Sequence, residues 1–274
     1  MLSALLLALR EGLEAALIIG LLLASLEKLG YADRARVVWL GAGSAALLSL
    51  AVAVGLTAAG AELDGFSEAL YEGVTLLLAA VVLTWMIFWM QWQGRSASKA
   101  LEDQVSQAIA GKRGRGLFLV AFVAVLREGV ELALFMTAAA VAGSAQWTWI
   151  GGLLGVALAS AAGYALFASA ARLDVRRFFR VTGLILLVFA AGLVARSTHE
   201  FIEIGWLPAL MDPVWNTSSA LNDQSALGQV ARSFLGYRSS PSLAEVISYI
   251  GYLAVVVILL WWTRRAPSPA AQQA

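Results

Sequence analysis

Arg10-Glu11-Gly12-Leu13-Glu14 lies inside an apolar run over 2–26, and Arg127-Glu128-Gly129-Val130-Glu131 lies inside a second run over 117–143. A helix needs roughly 20 mainly apolar residues to cross a bilayer, and both runs reach that length. Each charged residue at a membrane centre costs on the order of 3 kcal/mol even on lenient insertion scales. Six of them exceed what most domains hold in reserve, unless the groups compensate one another. A costly pattern written twice points to one site assembled from both copies.

Composition sets the class. Of the 274 residues, 60% are hydrophobic and 14% charged, and mean hydropathy is +0.78. Soluble domains carry about 25% charged residues. The apolar runs are continuous rather than alternating, so the fold class is an all-α integral membrane protein in contact with the lipid bilayer. The net charge of +1 carries no signature of a nucleic-acid partner. With no Cys, disulfides, thiolate metal sites and redox dithiols are excluded, and a single His argues against zinc or copper held by imidazole. The N-terminus lacks a basic region and its apolar core is broken by charge, so the first helix is expected to stay in the mature protein.

Hydropathy predicts seven spans, at about 2–26, 37–60, 68–92, 117–143, 147–171, 180–199 and 243–263. Lys28, Arg34 and Arg36 fall in the first connection, Arg95, Lys99, Lys112, Arg113 and Arg115 in the third, and Arg172, Arg176, Arg177 and Arg180 in the fifth. Arg264 and Arg265 follow the last span. The second and fourth connections have no basic residue, which predicts an external N-terminus and a cytoplasmic C-terminus in the cell (inner) membrane. Trp39, Trp89, Trp92, Trp261 and Trp262 at inner ends, with Trp147 and Trp149 at an outer end, read as interfacial anchors.

The charged motifs sit in spans 1 and 4, so the chain reads as an inverted 3+3 repeat plus one C-terminal helix. Repeat 1 covers about 1–93 and repeat 2 about 117–203. Trp39-Leu40-Gly41 is echoed by Trp149-Ile150-Gly151. Inverted repeats with a site at their interface are a transporter architecture. The stretch 1–265 is one permease domain. It includes a polar connection with a surface helix near 101–109 and an external loop over 204–242 with a short helix near 219–235. Helix 7 opens on Ser242 and Glu245 at capping-box spacing, and 266–274 reads as a disordered tail.

Glu11 and Glu14 share a helix face, as do Glu128 and Glu131. At 1.5 Å per residue, Glu11 lies roughly 14 Å in from the outer end and Glu128 roughly 17 Å from the inner end, so both pairs approach the midplane. Ala4, Ala8, Gly12, Ala16, Gly20 and Ala24 form an every-fourth small-residue stripe, and Gly129, Ala133 and Thr137 a shorter one, as close helix packing requires. Arg10 can pair with Glu14, and Arg127 with Glu131, which leaves Glu11 and Glu128 unexplained by structural ion pairs. Four carboxylates without thiolate or paired imidazole suit a hard cation. Carboxylates this close would not all ionise in an empty site, so cation arrival is expected to displace protons.

These residues resemble the high-affinity iron permeases, oxidase-dependent in fungi and of the EfeU type in bacteria. The resemblance rests on the paired Arg-Glu-x-x-Glu motifs. Glu72-Gly73-Val74 with Thr84-Trp85-Met86, His199-Glu200, Gly205-Trp206-Leu207-Pro208 and Gly236-Tyr237 before Pro241 support it. It implies an iron transporter rather than an enzyme, with iron (Fe3+ or Fe2+) as the transported substrate, no permanent cofactor, and the motif carboxylates as ligands. It also implies an extracytoplasmic iron-binding oxidase or peroxidase partner; a homo-oligomer is compatible with it. Spacing alone does not select iron over another hard cation such as manganese.

Glu62, Asp64, Glu68 and Glu72 fall at the outer end of span 3, and His199, Glu200 and Glu203 at the outer end of span 6. An acidic rim concentrates cations, and Glu72, His199 and Glu200 are the candidate outer metal ligands. Glu62 and Asp64 need be no more than acids on the side that basic residues avoid. His199-Glu200-Phe201-Ile202-Glu203 lacks the second His of a zincin helix, which counts against an intramembrane hydrolase. A non-transporting iron sensor is the other rival.

Overall fold

A computed structural model describes residues 1–93, 115–168, 174–223 and 225–265. Among them there are α-helices and one 3-10 turn, and no strand. The helices are α1 (Leu2–Lys28), α2 (Ala35–Ala61), α3 (Phe66–Gln93), α4 (Arg115–Ala142), α5 (Ala145–Ala168), α6 (Val175–Glu203), the short α7 (Ala226–Leu235) and α8 (Leu243–Arg265). The expected surface helix near 101–109 and the tail 266–274 lie outside the described residues.

Five of these helices, α2, α3, α5, α6 and α8, are long and apolar enough to cross a membrane. The other two long ones, α1 and α4, at 27 and 28 residues, are those interrupted by the charged motifs. Apolar side chains such as Leu47, Leu153 and Tyr164 face outward, the arrangement of a bundle solvated by lipid.

Helix ends differ from the sequence reading, among the long helices by up to five residues at the start of α6 (Val175), and two of the differences bear on the site. Helix α6 runs to Glu203 instead of stopping near 199, so His199 and Glu200 are helical rather than loop residues. Helix α7 begins only at Ala226, after Ser225, whose hydroxyl accepts a 3.0 Å bond from the Gly228 amide. The preceding polar residues form turns instead, because Ser, Asn and Asp bond to nearby backbone in competition with a helix. The connection is folded: Val214 N–H donates to Pro241 O at 2.9 Å, Thr217 N–H to Ser239 O at 2.8 Å, and Leu243 N–H to Met211 O at 2.8 Å. Ser242 and Glu245 cap α8 reciprocally.

Glycine dictates how closely the long helices approach. A methyl added at Gly12 would fall 2.6 Å from the Ala159 methyl, and one at Gly155 2.5 Å from Leu5 O, so α1 and α5 meet backbone to backbone. Gly163 against Ala16 continues the seam. The partners advance together, so α1 and α5 run parallel. On α2, Gly41 lies against the Phe118 carbonyl and Ser49 against Gly129, so α2 and α4 are a second parallel pair. The small-residue stripe of α5 (Gly151, Gly155, Ala159, Gly163) is the partner of the α1 stripe, and the sequence reading did not single it out.

Helices α3 and α6 pair antiparallel, with Gly73 beside Glu200 and Phe201, and Ile87 beside Gly183. Along α3 those contacts are separated by roughly 21 Å at 1.5 Å per residue. The interval is filled by the main core cluster, in which Leu7, Leu76, Leu83, Phe135, Phe189 and Leu193 are buried.

Gly155→Val is expected to lower the melting temperature of the purified protein, since overpacking a close contact costs about 1–3 kcal/mol. Gly43→Val, at a position with open space around it, is the matched control and should melt within a degree or so of the parent.

Candidate functional site: a buried carboxylate cluster

The seam residues decide which way the motif side chains point. With Gly12 turned to Ala159 and Gly129 to Ser49, the flanking charged residues are directed into the bundle. Glu11 is 1% exposed, Glu128 5% and Arg10 1%. One carboxylate oxygen from each of Glu11, Glu128 and Glu131 lies within 4.8 Å of the other two, so the motifs of α1 and α4 converge on one point.

Each arginine contacts both acids of its own motif. Arg10 Nη1 lies 3.6 Å from Glu11 Oε1, and its Nη2 3.4 Å from Glu14 Oε1. Arg127 Nε lies 3.9 Å from Glu128 Oε1 and donates to Glu131 Oε1 at 3.0 Å. The expected i,i+4 pairs are present, and Glu11 and Glu128 have the same arginines beside them. Five carboxylate oxygens (both of Glu11, Oε1 of Glu14, Oε2 of Glu128 and Oε2 of Glu131) are buried with no hydrogen-bond partner among the described residues. Burying such groups without a partner costs several kcal/mol. A hard cation coordinated by oxygen would satisfy them.

The surroundings of the two arginines differ. Arg10 is enclosed: Nη2 donates to Met90 Sδ at 2.9 Å, Nη1 to Met86 Sδ at 3.5 Å, and its guanidinium carbon lies 6.0 Å from the Phe179 ring centroid. Arg127 is 38% exposed and stacks on Trp89 at 4.3 Å. Trp89 is therefore more than the interfacial anchor expected of it. Trp39, Trp147, Trp261 and Trp262 do point outward, and the Trp92 side chain lies outside the described residues. The Met86 and Met90 contacts were not foreseen, since thioethers in an apolar helix carry no signal of an arginine partner.

Glu72, His199 and Glu200 are not brought to this cluster. They lie at the opposite end of the α3–α6 pair, where Ser197 Oγ donates to Gly73 O at 2.7 Å. There Arg196 Nε donates to Glu200 Oε1 at 2.9 Å. His199 Nε2 lies 2.9 Å from Glu203 Oε1, and Nδ1 3.2 Å from Glu245 Oε1. The seven residues expected to bind metal thus fall into two groups on either side of the apolar core. Sequence reading gave Glu245 only its capping role and did not single out Arg196, although the i,i+4 relation of Arg196 to Glu200 repeats that of Arg10 to Glu14.

A family model for the iron permease FTR1 family matches residues 1–265. The chain belongs to that family. A ferrous iron permease EfeU of Shigella sonnei is 33% identical over 271 residues, covering 98% of both chains, and one of Escherichia coli O157:H7 matches equally. The ferrous iron permease EfeU of Yersinia pestis is 33% identical over 264 residues, 96% of this chain and 94% of its own. No solved structure matches. Membership in the iron permease family and the apolar helices make this a multi-pass membrane protein of iron transport.

Replacing the two arginines separates enclosed from open. Arg10→Ala strands two carboxylates in the bundle and should cost about 3–5 kcal/mol. Arg127→Ala also leaves Glu128 and Glu131 without their cation, but removes a guanidinium that is itself 38% exposed, so it should cost less than Arg10→Ala. Thermal melts of the two purified variants check the difference.

Proposed function

We propose that the chain moves iron across the cytoplasmic membrane through a midplane site made by the two Arg-Glu-x-x-Glu motifs. The observation that carries the reading is the meeting of Glu11, Glu128 and Glu131 oxygens from two helices, at a cluster where five buried carboxylate oxygens have no hydrogen-bond partner among the described residues. An oxygen-only set suits a hard cation ahead of softer metals, the family supplies iron as that cation, and two arginines facing four carboxylates leave two negative charges for a divalent ion. The relatives' name favours ferrous iron as the cargo.

In this reading the protein has seven spans, α1 and α4 included, as an inverted 3+3 repeat with α8 added. Helix contacts support the repeat. Gly12 meets Ala159 as Gly129 meets Ser49, and Gly151 lies on the Met1 carbonyl as Gly41 lies on that of Phe118. Equal spacings separate the paired positions in each half. The N-terminus is outside and the C-terminus cytoplasmic, by the distribution of Lys and Arg. Glu72, His199 and Glu200 form an outer station for the arriving ion. Delivery by an extracytoplasmic oxidase or peroxidase belongs to the same reading and rests on the family resemblance.

Proteoliposomes test it. Glu11→Ala and Glu128→Ala should each reduce iron uptake at least tenfold, while Glu62→Ala, on the exposed rim, leaves it near wild type. Normal transport by both folded motif variants sinks the proposal, and manganese moving in preference to iron transfers it to another cation. Uptake should also release protons into the medium, because an empty cluster of four acids holds some protons that a cation displaces. Uptake indifferent to pH, with no proton release, removes that step.

A further inference from the structure

The chain leaves α6 through Gly205-Trp206-Leu207-Pro208, a stretch to which transport gives no role. Gly205 holds a φ of +76°, its amide donates to Ile202 O at 3.0 Å, and the Trp206 amide donates to Phe201 O at 2.9 Å. This is the left-handed helix stop that glycine favours, and Pro208 cannot resume the helix. The Trp206 ring stacks on Phe201 with centroids 5.8 Å apart and meets Phe66, the first residue of α3, edge-on at 6.4 Å. From there the segment runs to the start of α8. Leu243 N–H donates to Met211 O at 2.8 Å, and Ala244 N–H to Ala209 O at 3.4 Å.

The large side chains exposed here are apolar: Phe66, Trp206, Leu207, Leu210, Met211 and Trp215. Asp212 is the one charged residue over 204–215. Leu210 adopts a φ of +65°, a left-handed conformation unfavourable for leucine. Its side chain is 65% exposed, so packing within the chain offsets little of that cost. Helix α8 fixes the height of the segment. Its stretch Leu243–Trp262 is long and apolar enough to cross a membrane and ends on the outward-facing Trp261 and Trp262. Leu243, and Met211 bonded to it, are therefore level with the opposite membrane surface. Farther along α8 the exposed Ile247 and Ile250 carry the apolar surface on into the lipid zone. Past Trp215 the loop changes character, and Asn216, Ser218 and Ser219 are exposed and polar.

We propose that residues 206–215 form a collar seated in the membrane surface, with Trp206, Leu207, Leu210, Met211 and Trp215 at the boundary between lipid headgroups and acyl chains. Tryptophan among apolar neighbours suits that boundary, and there Leu210 gains the burial that the chain itself does not supply. An exposed apolar surface of this extent marks a contact with protein or lipid. Continuity with Ile247 and Ile250 of a spanning helix selects lipid. The collar requires α8 to cross the bilayer and does not depend on the transport reading.

The chain has no cysteine, so single nitroxide labels on the full-length protein in liposomes test the collar by paramagnetic resonance. Labels go on Leu210→Cys, Met211→Cys, Ser218→Cys and, as the lipid reference, Ile247→Cys. All four replace exposed or loop side chains, and each variant should melt within a degree or so of the parent. Molecular oxygen concentrates in lipid, and a neutral nickel chelate in water. The ratio of oxygen to nickel-chelate collision rates at 210 and 211 should approach that at 247 and exceed that at 218 at least threefold. A ratio at 210 and 211 equal to that at 218 places the segment in water, open to a docking protein, and overturns the proposal. Low access to both reagents means that a second copy of the chain covers the segment, which overturns it equally. Glu11→Ala labelled at 210 should give the parent's ratio, so a failed transport reading leaves this result standing.

Discussion

Charged groups in a nonpolar bundle must find one another, and that requirement organises this molecule. Arg10, Glu11 and Glu128 are almost wholly buried, in surroundings where an uncompensated charge would cost more than the fold's margin. Each arginine compensates the acids of its own helix, and the approach of α1 to α4, which narrow outer faces allow, sets carboxylate oxygens of the two motifs side by side. Gly12 and Gly129 sit inside the charged motifs themselves, and each abuts a small residue of a neighbouring helix. The glycine that lets the backbone close and the acids that the closure brings together are adjacent in sequence.

Identical motifs acquire different characters from what surrounds them. Arg10 is fixed by two acids, two thioethers and an aromatic ring. Arg127 has a carboxylate at 3.0 Å, a tryptophan face and a partly exposed side chain. One side of the carboxylate cluster is thereby enclosed, and the other partly open. The distinction arises in α3 and α6, which bring Met86, Met90 and Phe179 to one arginine and Trp89 to the other.

Much of this was legible in the sequence, and the gaps have physical causes. The paired motifs announced themselves because charge in a lipid-length helix is rare and expensive, so Glu11, Glu14, Glu128 and Glu131 could be read directly. Helix positions followed from hydropathy, which is strong when every face is apolar. The joining of Glu11 to Glu128 and Glu131, rather than all four acids at equal range, depends on rotamers that spacing does not encode. The sharing of Glu245 between His199 and Arg238 joins three segments that sequence proximity cannot connect. The end of α6 was placed four residues early because His, Glu and Phe at a span's edge look like a rim, whereas here the helix simply continues out of the apolar zone.

The apolar filling between the two polar stations has a consequence of its own. Leu7, Leu76, Leu83, Phe135, Phe189 and Leu193 form a septum across four helices, on the order of 20 Å from one set of ionisable side chains to the other. These side chains pack on one another and offer water or an ion no hydrogen-bonding group. In this arrangement a hydrated ion passing from one group of ionisable side chains to the other would have to part these packed side chains.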